Sequence, residues 1–344
     1  MIAAAVVGMG CGALVLAGNP GNMGICGACF LRDTAGALGL FGSGPKIFRP
    51  ELVGLVLGAL AWVAATRGFV ARSGSHAAAR FFFGIWMAVG SLVFLGCPFR
   101  MLQRLGGGDL NAWIGLIGFV AGVGAGVGFE KRGYSVGKTE GVAAPIGWLG
   151  PLTFVGIGVL FLLSRLPFGP GPGDAGGPPH AVWWLALGIA VVAGALLSAT
   201  GFCAITAARQ VFVRGKLMLV GAGALVVAYG GVVFVGGQGH VGLEGQPAAH
   251  GDALWSIASL ALVGLAGCLA GGCPVRQMVM TGEGNGDAFV TVAGLVVGGA
   301  LAHNFGLVSS GDGSTTAGRW AVSVGLLIAL LYPWIVLRVG ARGQ

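Results

Sequence analysis

Four cysteines carry the chemistry that residue types and spacing suggest in this chain. Gly96-Cys97-Pro98-Phe99-Arg100 returns as Gly272-Cys273-Pro274-Val275-Arg276. Gly24-Ile25-Cys26, with Arg32 six residues on, returns as Gly201-Phe202-Cys203, with Arg209 six residues on. The intervals agree: 203 − 26 = 177 and 273 − 97 = 176. Two unrelated motifs held at one interval mark a duplicated unit of about that length. In Gly-Cys-Pro-x-Arg the proline suits the first position of a helix, where its missing N–H would be unpaired anyway, so the cysteine becomes the N-cap. Its sulfur then faces free backbone donors and the positive end of the helix dipole, a setting for a soft anion or a thiolate. Arg100 and Arg276 follow one turn inside and would add positive charge.

The remaining cysteines read differently. Cys26 and Cys29 form a Cys-x-x-Cys, a redox spacing, but Thr206 stands at the repeat position of Cys29, so redox pairing and plain packing are equal alternatives for Cys29. Cys11 and Cys268 lie inside apolar stretches and read as small buried hydrophobes. Four converging thiols could hold zinc or an iron–sulfur cluster, yet closed metal sites more often show two Cys-x-x-Cys pairs, and the histidines offer no supplement. His76, His180, His240 and His250 fall in expected loops, and His303 lies beside Asn304 near the end of an apolar stretch. No metal, cofactor or catalytic residue is expected. Asp33, Asp109, Glu283 and Asp287 follow the cysteine motifs at expected helix ends, placed to cap helices or to pair with Arg32, Arg104 or Arg276 rather than to relay protons. The chain has no Walker pattern, which argues against driving by ATP within it.

The elements that must position these thiols are membrane helices. Charged residues make up 9% of the chain and hydrophobic ones 56%, and the mean hydropathy is +0.89; soluble domains carry about 25% charged residues. Ten stretches are predicted to span the bilayer: 2–17, 51–70, 80–96, 111–129 and 147–164, then 181–198, 216–236, 254–271, 288–307 and 319–338. A Pro/Gly-rich linker, 167–180, separates a first repeat, 1–166, from a second, 181–344. The cysteine motifs follow spans one, three, six and eight in segments too short to cross and too apolar for ordinary loops, which predicts re-entrant half-helices. Five spans per half force the second repeat to enter from the opposite side, giving inverted repeats. Counted by side, Lys and Arg divide twelve to seven, which predicts both termini in the cytoplasm. The net charge of +8 is spread over many short loops, so no nucleic-acid partner is expected.

The motif set, Gly-x-Cys in the first and third segments and Gly-Cys-Pro-x-Arg in the second and fourth, resembles that of the YeeE/YedE sulfur-transport family. The run Gly18-Asn-Pro-Gly-Asn-Met-Gly-Ile-Cys-Gly-Ala-Cys-Phe-Leu-Arg-Asp33 looks like the YedE-type proteins associated with selenium metabolism. The resemblance implies an hourglass-shaped inner-membrane importer in which thiosulfate passes between thiols by transient S–H···S contacts. Carried over by motif, those thiols are Cys97, Cys273 and Cys26, with Cys203 the fourth by symmetry. The Cys26/Cys29 doublet departs from the thiosulfate-type pattern and leaves a reduced selenium compound as an alternative substrate. The expectation is therefore an all-α integral membrane protein of about ten transmembrane helices in two inverted repeats. It acts as a transporter, not an enzyme, and binds substrate at Cys26, Cys97, Cys203, Cys273, Arg100 and Arg276. A small cytosolic sulfur-carrier protein is a further candidate partner. The alternatives are a membrane thiol–disulfide or sulfurtransfer enzyme using Cys26 and Cys29, and a metal-binding membrane module.

Overall fold

A computed structural model describes residues 1–169, 171–172 and 179–342, the side chains to residue 339. Half of the linker 167–180, residues 170 and 173–178, lies outside the described residues. Fourteen helices are described: α1 (Ile2–Leu16), α2 (Gly27–Ala37), α3 (Pro50–Thr66), α4 (Ala77–Phe94), α5 (Pro98–Gly106), α6 (Leu110–Lys131), α7 (Ala144–Leu162), α8 (Trp183–Thr200), α9 (Ala204–Arg209), α10 (Leu217–Val235), α11 (Ala253–Ala270), α12 (Pro274–Gly282), α13 (Gly286–Asn304) and α14 (Thr316–Arg342). The described strands are the antiparallel pair Arg72–Ser73 and Glu140–Gly141. Eight segments, built on α4, α6, α7, α8, α10, α11, α13 and α14, are long and apolar enough to cross a membrane. The chain is a multi-pass α-helical membrane protein.

Two of the ten expected spans come out short. The stretches 2–17 and 51–70 become α1 and α3, of 15 and 17 residues. At a rise of 1.5 Å per residue these reach only about 23 and 26 Å, against a hydrocarbon core of about 30 Å. Local backbone explains both ends. Gly18 stops α1 with φ +121° and lies so near the His180 carbonyl that a Cβ would sit 2.9 Å from its oxygen. Gly68, at φ +72°, follows the last residues of α3.

Packing is reciprocal between the halves. Helix α3 lies along α8 and α10 along α1; α4 lies along α13 and α11 along α6; α5 rests on α10 and α12 on α3. Small residues make these approaches possible. A Cβ on Gly58 would meet the Val191 carbonyl oxygen at 2.0 Å, and one on Gly118 the Ile257 oxygen at 2.0 Å, so helix backbones touch directly. Helices α7 and α14 break the pattern, α7 packing on α3, α12 and α13 and α14 on α4 and α11.

The two Gly-Cys-Pro-x-Arg segments share one backbone course. Helix α4 ends at Leu95 with φ 62° and α11 at Gly271 with φ 83°, both left-handed. The next amides fold back, Gly96 N–H donating to the Ser91 carbonyl at 2.7 Å and Gly272 N–H to Gly267 at 2.8 Å, which closes the helix end. Cys97 (φ −75°, ψ 167°) and Cys273 (φ −72°, ψ 163°) then occupy the N-caps of α5 and α12, each followed by its proline. One repeat interval relates the next caps also: Asp109 accepts from the Ala112 amide at 3.1 Å and Asn285 from Ala288 at 3.0 Å. Leu95 holds its left-handed conformation without being glycine, at a cost of roughly 1–2 kcal/mol, two residues before Cys97.

Loop contacts sort into two sets. One joins Asn19 to Ala181, Asn22 to Gln246, the Gly107 carbonyl to His240, and Arg319 to Asp252. The other joins Arg72 to Gly284, Ser73 to Asp287, His76 to Val136, and Arg209 to Glu130. No loop named in one set appears in the other. The chain crosses between the two sets with each pass.

Candidate functional site

The four cysteines open the four short helices. Each is an N-cap, Cys26 of α2, Cys97 of α5, Cys203 of α9 and Cys273 of α12. Cys26 has extended backbone, and its sulfur accepts from the Cys29 amide at 3.4 Å. Every residue of α2 is buried, as are Pro98 to Leu105 of α5, an unusual degree of enclosure for helices this short. Cys26 lies beside Cys29 and Cys97, and Cys203 lies beside Cys273, whose backbone N–H donates to the Cys203 sulfur at 3.3 Å. The two pairs approach each other through helix starts: a Cβ on Gly27 would be 2.9 Å from the Pro274 carbonyl carbon, and the rings of Phe99 and Phe202 meet edge on at 6.3 Å. All four thiols are closed off, from 0% exposed at Cys26 and Cys97 to 3% at Cys203. All seven cysteines are free. Among the described residues no three Cys, His, Asp or Glu side chains are grouped to hold a metal ion.

The six nominated residues are thus divided by environment. The two motif arginines, alike in sequence, have different partners. Arg276 is held by Glu283 through two bonds, 2.9 and 3.2 Å. Arg100 is 1% exposed and bonds only carbonyls: Asn22 at 2.9 Å, Ala248 at 3.2 Å, Pro247 at 3.4 Å, Gly21 at 3.5 Å, and Leu95. Among the described residues it is the one buried arginine without a carboxylate partner. Arg32 and Arg49 share Asp33, Arg80 approaches Asp287, and Arg104 pairs with Asp109 at 2.6 Å. Beside Cys97, then, a full positive charge is stabilised by carbonyl dipoles and remains uncancelled. The starts of α2 and α5 add their dipoles to it.

Sequence reasoning missed the side chains that hold the Cys26 segment. Gln103 accepts from the amides of Gly24 (2.8 Å) and Ile25 (3.3 Å) and returns a donor to the Ile25 carbonyl (2.6 Å). Asn19 donates to Gly24 (3.0 Å) and to Glu51 (2.7 Å) and accepts from the Ala181 amide (2.8 Å). A signal for Gln103 existed: Arg100, Gln103 and Arg104 stand at i, i+3 and i+4, a polar stripe on one face of a short helix in an apolar chain. Asp109 and Glu283 behave as their positions suggested, whereas Asp287 neither caps a helix nor pairs with Arg32, Arg104 or Arg276. Asp109 both caps α6 and pairs with Arg104, Glu283 holds Arg276, and Asp287 receives the Ser75 and Gly74 amides and the Ser73 hydroxyl.

One expectation needs correction. Cys268 does more than pack: its sulfur lies 3.7 Å from both Arg209 Nη1 and Glu130 Oε1, against an ion pair closed at 2.6 Å. His250 lies in a loop as expected, yet it is 3% exposed and its Nε2 is 2.7 Å from the Val93 carbonyl. His303 stacks on Phe41 at 4.3 Å and stands 3.4 Å from Arg32 Nη1. In comparisons with known proteins, the chain matches no family model and no curated sequence.

Proposed function

We propose that the chain is a transporter that takes a small sulfur- or selenium-containing anion, thiosulfate or a reduced selenium compound, through a closed path between its thiols. The observation that carries this reading is the meeting of four buried cysteine N-caps from two related halves, beside one uncancelled arginine charge. A path for a soft anion needs polarisable partners and a positive field but no fixed positive ligand that would trap it, and the cysteine-capped helix starts meet that need. Transport also accounts for the duplication. Reciprocal packing and the sorting of loops into two sets support inverted repeats with re-entrant α2, α5, α9 and α12, the design in which alternating access places substrate at the repeat interface. Full burial of the thiols fits an occluded state. The twelve-to-seven charge split favours cytoplasmic termini in a bacterial inner membrane.

A second reading, thiol–disulfide exchange, is favoured by the side-chain contact of Cys26 with Cys29. Reconstituted vesicles offered thiosulfate or hydrogen selenide separate the two. Transport requires accumulation of unmodified substrate, with Cys29→Ala retaining it. Failure to accumulate either compound, together with a mixed disulfide trapped at Cys26 when protein first oxidised to a Cys26–Cys29 disulfide is offered a small thiol, which releases the Cys29 thiol, would establish the enzyme reading instead.

A further inference from the structure

Glu51 is a carboxylic acid that the thiol path does not use. It opens α3 one residue after Pro50 and is 1% exposed. Its Oε1 accepts from Asn19 at 2.7 Å, while its Oε2 is buried with no hydrogen-bond partner. The guanidinium that could have neutralised it, Arg49, is occupied elsewhere: its Nε donates to Asp33 at 2.9 Å and its Nη1 to the Pro179 carbonyl at 3.2 Å. Burying an ionised carboxylate costs far more than burying the neutral acid unless several donors compensate it. The Asn19 amide, Glu51's own backbone N–H and one bare oxygen are too little compensation for a buried charge and match a neutral acid, with Oε1 as its carbonyl and the proton on Oε2.

Other groups facing this carboxyl are few. Arg49 and His180 flank it from the segments before α3 and α8, and Cys11 faces it from α1. Helices α7 and α8, which pack on α3, carry no titratable residue. Helix α12 meets α3 through Gly282, whose Cβ position is 2.3 Å from the Val56 oxygen, and its Arg276 and the following Glu283 pair with each other. From α2, which also packs on α3, Asp33 pairs with both Arg32 and Arg49, and Cys29 lies beside Cys26.

The same carboxyl is joined to the thiol site by two hydrogen bonds. Asn19 spends one amide hydrogen on Glu51 and the other on the Gly24 carbonyl, two residues before Cys26, while Gln103 accepts from the backbone N–H groups of Gly24 and Ile25. Gly24 has no freedom to absorb a change, because its Cβ position falls 2.1 Å from the Cys11 carbonyl oxygen. A shift in the charge of Glu51 therefore acts on Asn19 and, through it, on the turn that presents Cys26.

We propose that Glu51 is a proton-binding site that couples proton movement to passage of the anion, and that Asn19 transmits its protonation state to the Cys26 segment. The proposal rests on the transport reading and names its driving ion. Binding is simple acid–base chemistry: Oε2 accepts a proton from water on one side of the membrane and releases it to water on the other, with no oxidant or reductant. Two measurements test it. Infrared difference spectroscopy of purified protein, wild type minus Glu51→Gln, needs no transport; a protonated carboxyl band near neutral pH is expected in the wild type and missing from the variant, and only a carboxylate band would overturn the proposal. Thiosulfate uptake into proteoliposomes with and without an inward proton gradient gives the second readout. Several-fold acceleration by the gradient is expected in the wild type, none in Glu51→Gln, and recovery of the dependence in Glu51→Asp. A gradient effect that persists in Glu51→Gln, or that the wild type lacks, would overturn coupling while leaving transport standing. No thiosulfate uptake in the wild type under any condition would overturn coupling and reject thiosulfate as substrate, even if the infrared band is present.

Discussion

Gly27→Ala tests the junction of the two halves with one methyl group. Gly27 follows Cys26, and an added Cβ would lie 2.9 Å from the carbonyl carbon and Cβ of Pro274 and from the Val275 amide nitrogen. Carbon atoms in contact normally sit about 3.5–4.0 Å apart, so the starts of α2 and α12 must separate by roughly 0.6–1.1 Å. The opposing atoms are backbone and a proline ring, which have no rotamer to retreat into, and overpacking of this kind costs about 1–3 kcal/mol. If the anion passes between Cys26 and Cys273 across this junction, that energy falls on the transport step, and uptake should drop about 5–150-fold. The assay is initial-rate uptake of thiosulfate in proteoliposomes, normalised to folded protein, with thermal unfolding measured in parallel. Gly128→Ala in α6 is the control: nothing lies within 4 Å of its Cβ position, so uptake should be unchanged. Wild-type uptake by Gly27→Ala, or a lowered unfolding temperature with uptake per folded molecule intact, would refute the idea that substrate crosses between α2 and α12.

Four further outcomes are expected. Cys97→Ser and Cys273→Ser should each nearly abolish uptake at normal abundance, with Cys26→Ser strongly impaired and Cys203→Ser less so; full uptake by the Cys97→Ser/Cys273→Ser double variant would leave these residues as helix caps only. Arg100→Lys should retain part of the uptake that Arg100→Gln loses if its charge matters, whereas equal losses would assign it to holding the Gly21, Asn22 and Ala248 carbonyls. Arg276→Gln leaves Glu283 buried with the Ser198 hydroxyl (2.9 Å) and the more distant Arg72 (3.9 Å), so a stability loss of about 3–5 kcal/mol is expected in thermal or denaturant unfolding; Arg276→Gln with Glu283→Gln should recover part of it. Reporter fusions at Leu166 and Arg338 should report opposite sides of the membrane, and same-side signals would sink the inverted arrangement.

Much of this protein was legible in one dimension. Its membrane class follows from the scarcity of charge, because unpaired charges are excluded from lipid by their hydration cost. The N-caps at Cys97 and Cys273 follow from Cys-Pro, since proline restricts where a helix can begin, whereas those at Cys26 and Cys203 have no proline after them; equal intervals between unlike motifs mark a duplication in the sequence. The short reach of α1 and α3 was not legible, because hydropathy measures apolar length, whereas Gly18 and Gly68 end the helices through backbone angles. Nor were the different roles of Arg100 and Arg276, identical in their motifs. Glu283 neutralises Arg276, while Arg104, four residues after Arg100, takes the Asp109 carboxylate, and that choice depends on which loop carbonyls close around Arg100. Glu51 looked like an ordinary first-turn acid. Its enclosure by Asn19 and the segments before α3 and α8 exists only once chain far apart in sequence comes together, since burial and the number of available donors are properties of packing and not of residue type.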